Sequence, residues 1–238
     1  MSSDDARAVR ELTVFFPAYN EEGSITQVVE AAIAQLDTLE LTDYEAIVID
    51  DGSVDGTGCL ADRLAADHDR VRTVHHERNR GYGAALKSGF AASRFEWVFF
   101  TDADGQFDLS ELPAFLAAAA QYDVVVGYRK ARQDRPMRRF NAWAWAKIVR
   151  VSLGLQLRDV DCAYKLIRRS RLVEAGSLRS EGAFLSTELL VKLLRNGVEL
   201  CELPVAHHAR EAGRPSGGSP IVIFRAFVDL ARELRHLN

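Results

Sequence analysis

The sequence predicts an α/β fold, a doubly wound layer in which strands alternate with helices. Two patterns predict it. Up to about residue 130, short apolar runs alternate with amphipathic stretches of helical length. All but one of the five apolar runs there end in polar or small residues. Ligands of open α/β sheets bind at the carboxyl ends of the strands, so these four clusters are expected to share one crevice.

The first strand is expected at Leu12–Pro17, running into Ala18-Tyr19-Asn20-Glu21 and a helix at about 24–38. Pro17 fixes the exit of the strand, Tyr19 offers an aromatic face, and Glu21 is an acceptor at a helix start. Capping by Asn20, Glu21 and Ser24 accounts for the polar residues but not for the aromatic before them. The second strand, Tyr44–Asp50, ends in Asp50-Asp51-Gly52-Ser53, which suits a pocket rim. A carboxylate there could accept a base-edge or ribose hydrogen bond. Asp55 and Thr57 are expected to cap the next helix, at 57–68. A third strand, Val71–His75, precedes a helix at 82–94.

The fourth strand, Trp97–Thr101, ends in Asp102-Ala103-Asp104-Gly105-Gln106. A strand sends side chains alternately to opposite faces, and where it frays every second one can meet at a point. The oxygens of Asp102, Asp104 and Gln106 would there suit a hard divalent cation, Mg2+ or Mn2+. Asp-Ala-Asp-Gly is also good turn chemistry, and an Asp-x-Asp pair alone decides nothing. A helix at 109–120 and a fifth strand, Asp123–Gly127, close this half.

Residues 129–150 carry Arg129, Lys130, Arg132, Arg135, Arg138, Arg139, Lys147 and Arg150 against the single acid Asp134, with Phe140, Trp143 and Trp145 among them. Clustered cations attract anionic headgroups and Trp favours the membrane interface, so this segment is a candidate docking face. A solvated helix with buried aromatics is the plainer alternative. A strand around 161–168, a helix at 184–196 and a strand at 198–206 follow. The Gly213–Pro220 run reads as a linker. Ile221, Phe224, Val228, Ala231 and Leu234 then recur at helical spacing, a stripe expected to face the core.

The 238 residues can bury a substantial core, and the formal charge of −4 argues against bulk nucleic-acid binding. Cys59, Cys162 and Cys201 lie far apart and no leader pattern precedes the first strand, so a reducing, cytosolic setting is expected. No stretch approaches the roughly 18 apolar residues that span a bilayer. His75-His76 and His207-His208 invite a metal reading, but adjacent residues on a strand face opposite ways, and structural roles are expected.

Pro-Ala-Tyr-Asn-Glu-Glu at 17–22, Val-Ile-Asp-Asp-Gly-Ser at 48–53, Arg-Asn-Arg-Gly-Tyr-Gly at 78–83 and Asp-Ala-Asp-Gly-Gln-Phe-Asp at 102–108 occur in that order. With Asp-Cys-Ala-Tyr-Lys at 161–165, Thr-Glu-Leu-Leu at 187–190 and the Arg210–Ser216 loop, the chain resembles the inverting family 2 glycosyltransferases of the GT-A fold. More narrowly, it resembles the dolichyl- and polyprenyl-phosphate sugar synthases. The resemblance implies a Rossmann-like fold with a mostly parallel central sheet and helices on both faces. It implies one domain over 1–238, with a nucleotide-sugar half at about 12–129 and an acceptor half at about 130–238.

By the same resemblance, Pro17, Tyr19, Glu21 and Asp51 would frame the donor nucleotide. Asp102, Asp104 and Gln106 would hold Mg2+ or Mn2+ against its pyrophosphate, and Arg129 would bind phosphates of donor or acceptor. Arg210, Arg214 and Ser216 fall where the family has a basic loop over the diphosphate. The family often has Ser-Lys there, whereas Ser216 is followed by Gly217, so Arg214 would supply the missing charge. If a base or acceptor-positioning group is needed, Asp161 is the first candidate and Glu188 the second, each equally suited to a salt bridge or cap.

The expected activity is transfer of a sugar from a UDP- or GDP-sugar to a polyprenyl phosphate at the inner membrane face. Peripheral docking, a homo-oligomer and a separate membrane subunit all stay open. The rivals are a sugar-to-sugar transferase and a non-catalytic nucleotide-sugar-binding protein.

Overall fold

The computed structural model describes residues 8–130, 147–210 and 220–237. The elements run β1 (Glu11–Ala18), α1 (Ile25–Leu36), β2 (Asp43–Asp50), α2 (Thr57–Asp67), β3 (Val71–His75), α3 (Tyr82–Ala92), β4 (Trp97–Thr101), α4 (Leu112–Ala118) and β5 (Val124–Arg129). After a helical stretch over 147–153 come β6 (Tyr164–Arg168), α5 (Arg169–Glu174), α6 (Leu185–Arg195), β7 (Leu200–Val205) and α7 (Pro220–Leu237). The expected strands of the first half fall within two residues of these bounds.

The strands form one seven-stranded sheet of order β3-β2-β1-β4-β6-β5-β7. β6 is antiparallel to both neighbours, and the remaining pairs are parallel. A parallel sheet covered on both faces needs strands that are apolar throughout. Accordingly β1 is buried from Leu12 to Ala18 and β2 from Tyr44 to Asp50. Successive side chains feed opposite cores. Val14, Phe16, Val48 and Phe99 pack with α1, α2 and α4, while Phe15, Ile47, Val98 and Phe100 pack with α3 and α6. On the second face Phe15, Phe90 and Phe100 form an aromatic cluster with centroids 5.3–5.7 Å apart.

Two elements start about three residues later than expected, and a third turns a different face, for local reasons. Pro113 is tolerated only in a helix's first turn, so α4 starts at Leu112 rather than 109. β6 starts at Tyr164 rather than 161, because residues 159–162 close a turn with Cys162 N donating to Asp159 O at 3.3 Å. In α7 the buried position is Leu230, whereas Ala231 is exposed, so the core-facing stripe is rotated from the expected one. The side chains of Ile221, Phe224 and Leu234 lie outside the described residues. No described helix is long and apolar enough to cross a membrane.

Candidate active site

The carboxyl ends of β1 and β2 are knitted together by side chains that bond to each other's turn. Asn20, at φ 56°, donates its N–H to Ser53 Oγ and accepts from Val54 N at Oδ1, both at 2.9 Å. Glu21 N donates to Thr57 Oγ1 at 2.8 Å. Asp55 Oδ1 accepts the Thr57 N–H at 3.0 Å. The cap position of α2 is Gly56, however, and Thr57 is its first residue, so neither Asp55 nor Thr57 is the cap expected. Ser24 opens α1 but sends its hydroxyl to Ala103 O at 2.9 Å, tying this helix start to the Asp102–Asp104 loop. Pro17 is buried in β1, and Tyr19 is half-buried beyond it.

Asp50 pairs in register with His75, so the Asp50-Asp51 and His75-His76 doublets meet at the ends of adjacent strands. Asp50 Oδ2 lies 3.0 Å from His75 Nδ1, and Asp51 Oδ1 lies 2.6 Å from His76 Nδ1. His76 Nε2 reaches Ser88 Oγ at 2.8 Å. Asp51 also accepts from Arg80 N at 2.9 Å and Gly81 N at 2.8 Å, the turn that starts α3. Its buried carboxylate therefore organises the pocket wall, more than the open nucleotide acceptor expected from sequence.

Gly52 makes this wall possible. It has φ +69°, and a Cβ there would lie 2.3 Å from the Arg78 carbonyl carbon. Gly52→Ala is expected to cost roughly 2–4 kcal/mol, from a left-handed backbone plus overpacking. Urea unfolding measures it, and a loss under about 0.5 kcal/mol, the usual surface-substitution range, would contradict the account.

The Asp102–Gln106 loop leaves β4 one strand away. Asp104 Oδ1 accepts the Gln106 N–H at 3.0 Å, and its Oδ2 lies 3.2 Å from Arg210 Nη1. Arg210 Nη2 also meets both Glu21 carboxylate oxygens. Gln106 Nε2 donates to His208 O at 3.1 Å, while His208 N donates to Gln106 O at 2.8 Å. Gln106 would thus offer a cation its Oε1. Of the residues expected here, Asp104, Arg210 and Glu21 stand together, and Gln106 is tied to Asp104 through its N–H. Asp102 is near enough for the Asp104 charge to act on it. Arg214 and Ser216 lie outside the described residues.

Asp102 Oδ1 is sheltered and accepts no hydrogen bond from the described residues. Burial, and then the charge of Asp104, raise the Asp102 carboxyl to about 7, against the nearby Tyr82 hydroxyl, Arg129 and Lys165. Glu21 is raised too, by burial first, with Arg210 pulling it down and Asp104 adding to the rise. A sheltered, undonated carboxylate oxygen beside a second carboxylate fits a divalent cation, and Asp102, Asp104 and Gln106 are the residues that would hold it. Among the described residues no three His, Cys, Asp or Glu side chains gather as a metal site, so the third ligand would be the amide. The histidines take the structural places expected: His207 packs on Phe107 at 5.2 Å, and His208 lies 3.2 Å from Asp108.

At the end of β5, Arg129 forks onto Asp159, with Nε to Oδ2 at 2.6 Å and Nη2 to Oδ1 at 2.7 Å. Burial opposes its charge, but this pair outweighs burial and raises the guanidinium above its ordinary value. Arg129 is therefore anchored, and it acts on Asp102 through space. Asp161 is exposed on the turn before β6. Glu188 is 1% exposed and accepts from Arg179 N (2.8 Å), Ser180 N (2.9 Å) and Lys192 Nζ (2.7 Å). Three donors and full burial make it a loop anchor, the salt-bridge role, and set it aside as a base.

Sequence reasoning gave no role to Tyr82, Asp159 or Lys165. Tyr82 lay within a quoted motif, and the signal for Lys165 was a cation inside an apolar strand. Of the basic segment, residues 131–146, including Phe140, Trp143 and Trp145, lie outside the described residues. A separate cavity of about 380 Å³, lined by Arg10, Glu96, Trp97, Asp123 and Arg168 among others, opens at the opposite ends of the strands and takes no part in this site.

The sheet and the crevice at its carboxyl edge define a GT-A fold. The description "Glycosyl transferase family 2" matches residues 13–174, and the chain belongs to that family. It is 33% identical over 203 residues to glycosyltransferase AglD of Haloferax volcanii, covering 82% of this chain but 32% of AglD. It is 29% identical over 238 residues to the undecaprenyl-phosphate mannosyltransferase of Micrococcus luteus, covering 94% of this chain and 93% of that protein. Among solved structures, glucosyl-3-phosphoglycerate synthase from Mycobacterium tuberculosis, in complex with Mn2+, uridine diphosphate and phosphoglyceric acid, superposes with a TM-score of 0.74 at 21% identity. That match covers 98% of this chain and 81% of the synthase.

Proposed function

We propose that the chain moves a sugar from a UDP- or GDP-sugar to a polyprenyl phosphate at the cytoplasmic face of a membrane, inverting the anomeric carbon. The observation that carries this reading is the meeting of Asp102, Asp104, Gln106, Glu21 and Arg210 where β1 and β4 end. Such oxygens with one forked cation suit a divalent ion and a diphosphate. The undecaprenyl-phosphate mannosyltransferase, alike over nearly its whole length, supports the acceptor class.

In the reaction an acceptor phosphate oxygen attacks the anomeric carbon. The bond from that carbon to the diphosphate oxygen breaks, and the nucleoside diphosphate leaves with the electron pair. Mg2+ or Mn2+ would supply positive charge to that leaving group. Arg210 adds a forked donor, and Arg214 and Ser216 belong to the same phosphate-side loop in this proposal. Pro17, Tyr19, Glu21 and Asp51 frame the nucleotide, Asp51 by holding the α3 turn. A phosphate monoester with a second pKa near 6 is already ionised at pH 7 and needs no base, so Asp161 places the acceptor. Docking runs through the basic segment 129–150, beside which Val151 is 78% exposed.

The exposure of Asp161 also admits a second reading, a sugar hydroxyl as acceptor with Asp161 as its base. The two separate on one assay. Labelled UDP- and GDP-sugars are offered to polyprenyl phosphate with Mg2+ or Mn2+, and the organic extract is counted. Label in the organic phase, lost with EDTA, is the expected result, and Asp161→Asn should weaken it without abolishing it. Label that stays aqueous while added glycans release nucleotide, with Asp161→Asn inactive, would replace the lipid-phosphate reading by the second.

A further inference from the structure

Lys165 is 1% exposed, in a strand where its neighbours Tyr164, Leu166 and Ile167 are buried and uncharged. A buried ammonium is costly unless its protons are met. Its Nζ donates to two main-chain carbonyls, Val160 O at 3.3 Å and Cys162 O, and it lies 5.6 Å from the Phe100 ring. Those carbonyls bracket Asp161. At the head of the same turn, Asp159 holds Arg129 in its fork, and Cys162 N closes onto Asp159 O. The register pairs Tyr164 with Thr101. The turn that enters β6, with Asp161 exposed on it, therefore starts beside the loop that leaves β4.

We propose that Lys165 is a positioning residue: by holding the carbonyls on both sides of Asp161, its ammonium fixes where that carboxylate meets the acceptor. The inference rests on the reading that Asp161 faces the acceptor. The negative charges of Asp159 and Asp161 favour the ammonium, although burial still lowers its pKa. Met has nearly the same length and volume but cannot donate, and Gln keeps one short donor. Among the described residues Lys165 makes no hydrogen bond to Asp104, Arg210 or Glu21, and it acts on Asp102 only through its charge. Its loss should therefore be felt mainly on the acceptor side.

The test is a double-mutant cycle on the full chain with Lys165→Met, Asp161→Asn and both, with Lys165→Gln as the conservative variant. Lys165→Met is expected to lower transfer about 10- to 100-fold, the scale of an ångström of misplacement. Donor KM and acceptor-independent donor hydrolysis should change less than about twofold. Adding Asp161→Asn should cost nothing further, since coupled residues are not additive, and Lys165→Gln should recover part of the loss. Amide hydrogen exchange should rise over 159–163 and nowhere else in the sheet.

Additive losses, an equal fall in donor hydrolysis, or unchanged exchange over 159–163 would overturn the proposal. So would failure of both Lys165 variants to fold, which would make the amine a general support of the sheet. The exchange arm needs no substrate. If the wild-type chain ignores polyprenyl phosphate, the proposed function fails while the exchange result still decides the role of Lys165.

Discussion

Replacing Asp104 by alanine is expected to lower sugar transfer on the order of 10²- to 10³-fold, the scale for losing a preorganised charge-stabilising contact. Asp104 sits where two tasks meet. One oxygen shapes the loop through Gln106 N, and the other faces Arg210, which also grips Glu21. Without the Asp104 carboxylate, a divalent ion held as proposed would lose an anionic ligand, and Arg210 would lose Asp104 while keeping Glu21. The affinity of the nucleotide-free protein for Mn2+, followed by electron paramagnetic resonance, should fall with activity. The fold should hold, because the change removes a like charge beside Asp102 and most of the core lies elsewhere. Transfer within threefold of wild type, or unchanged Mn2+ affinity, would remove Asp104 from the proposed site.

Asp102→Asn should abolish activity and yet stabilise the metal-free protein above neutral pH. The sign follows from linkage. The Asp102 carboxyl stands at about 7 in the fold and near 3.9 in an unfolded chain, so the folded state holds the proton more tightly. The stability this contributes is fully present below about pH 4 and is lost as pH rises through 7. A shift of that size corresponds to at most about 4 kcal/mol, and solvent at the half-buried site reduces it. In EDTA, the melting temperature of the wild type should fall between pH 5 and 8 relative to D102N. Mn2+ at pH 8 should restore the wild type and leave the variant unmoved. Parallel pH profiles for the two proteins would show that Asp102 carries no such strain.

Most strands of the first half were legible because both of their faces are covered. Runs such as Ala46-Ile47-Val48-Ile49 leave no polar face to confuse with a helix, and all but one of the runs end in polar or small residues. The place of β6 was not legible. Its apolar run reads the same whether it lies parallel or antiparallel, and only long-range pairing with β4 and β5 decides. Site residues divide the same way. That Asp102, Asp104 and Gln106 share the loop at the carboxyl end of β4 was readable from local spacing. That Arg129 is spoken for by Asp159, and Glu188 by the 179–180 backbone and Lys192, depends on partners brought in by the fold. The two doublets Asp50-Asp51 and His75-His76 could have been matched in advance, since they end neighbouring strands of a parallel pair.

The reversed direction of β6 sets a gauge between the two halves of the crevice. The chain leaves β4 into Asp102 and enters β6 from Ala163, with Thr101 and Tyr164 facing each other across the ladder. The level at which the two loops start is thus fixed by main-chain hydrogen bonds, as teeth fix two racks, and the loops then set where Asp104 and Asp161 stand. One residue added inside β6 would turn Lys165 to the opposite face and slide the Asp159–Cys162 turn by roughly 3.3 Å. The five residues of β6 must therefore keep their count if the two loops are to start level.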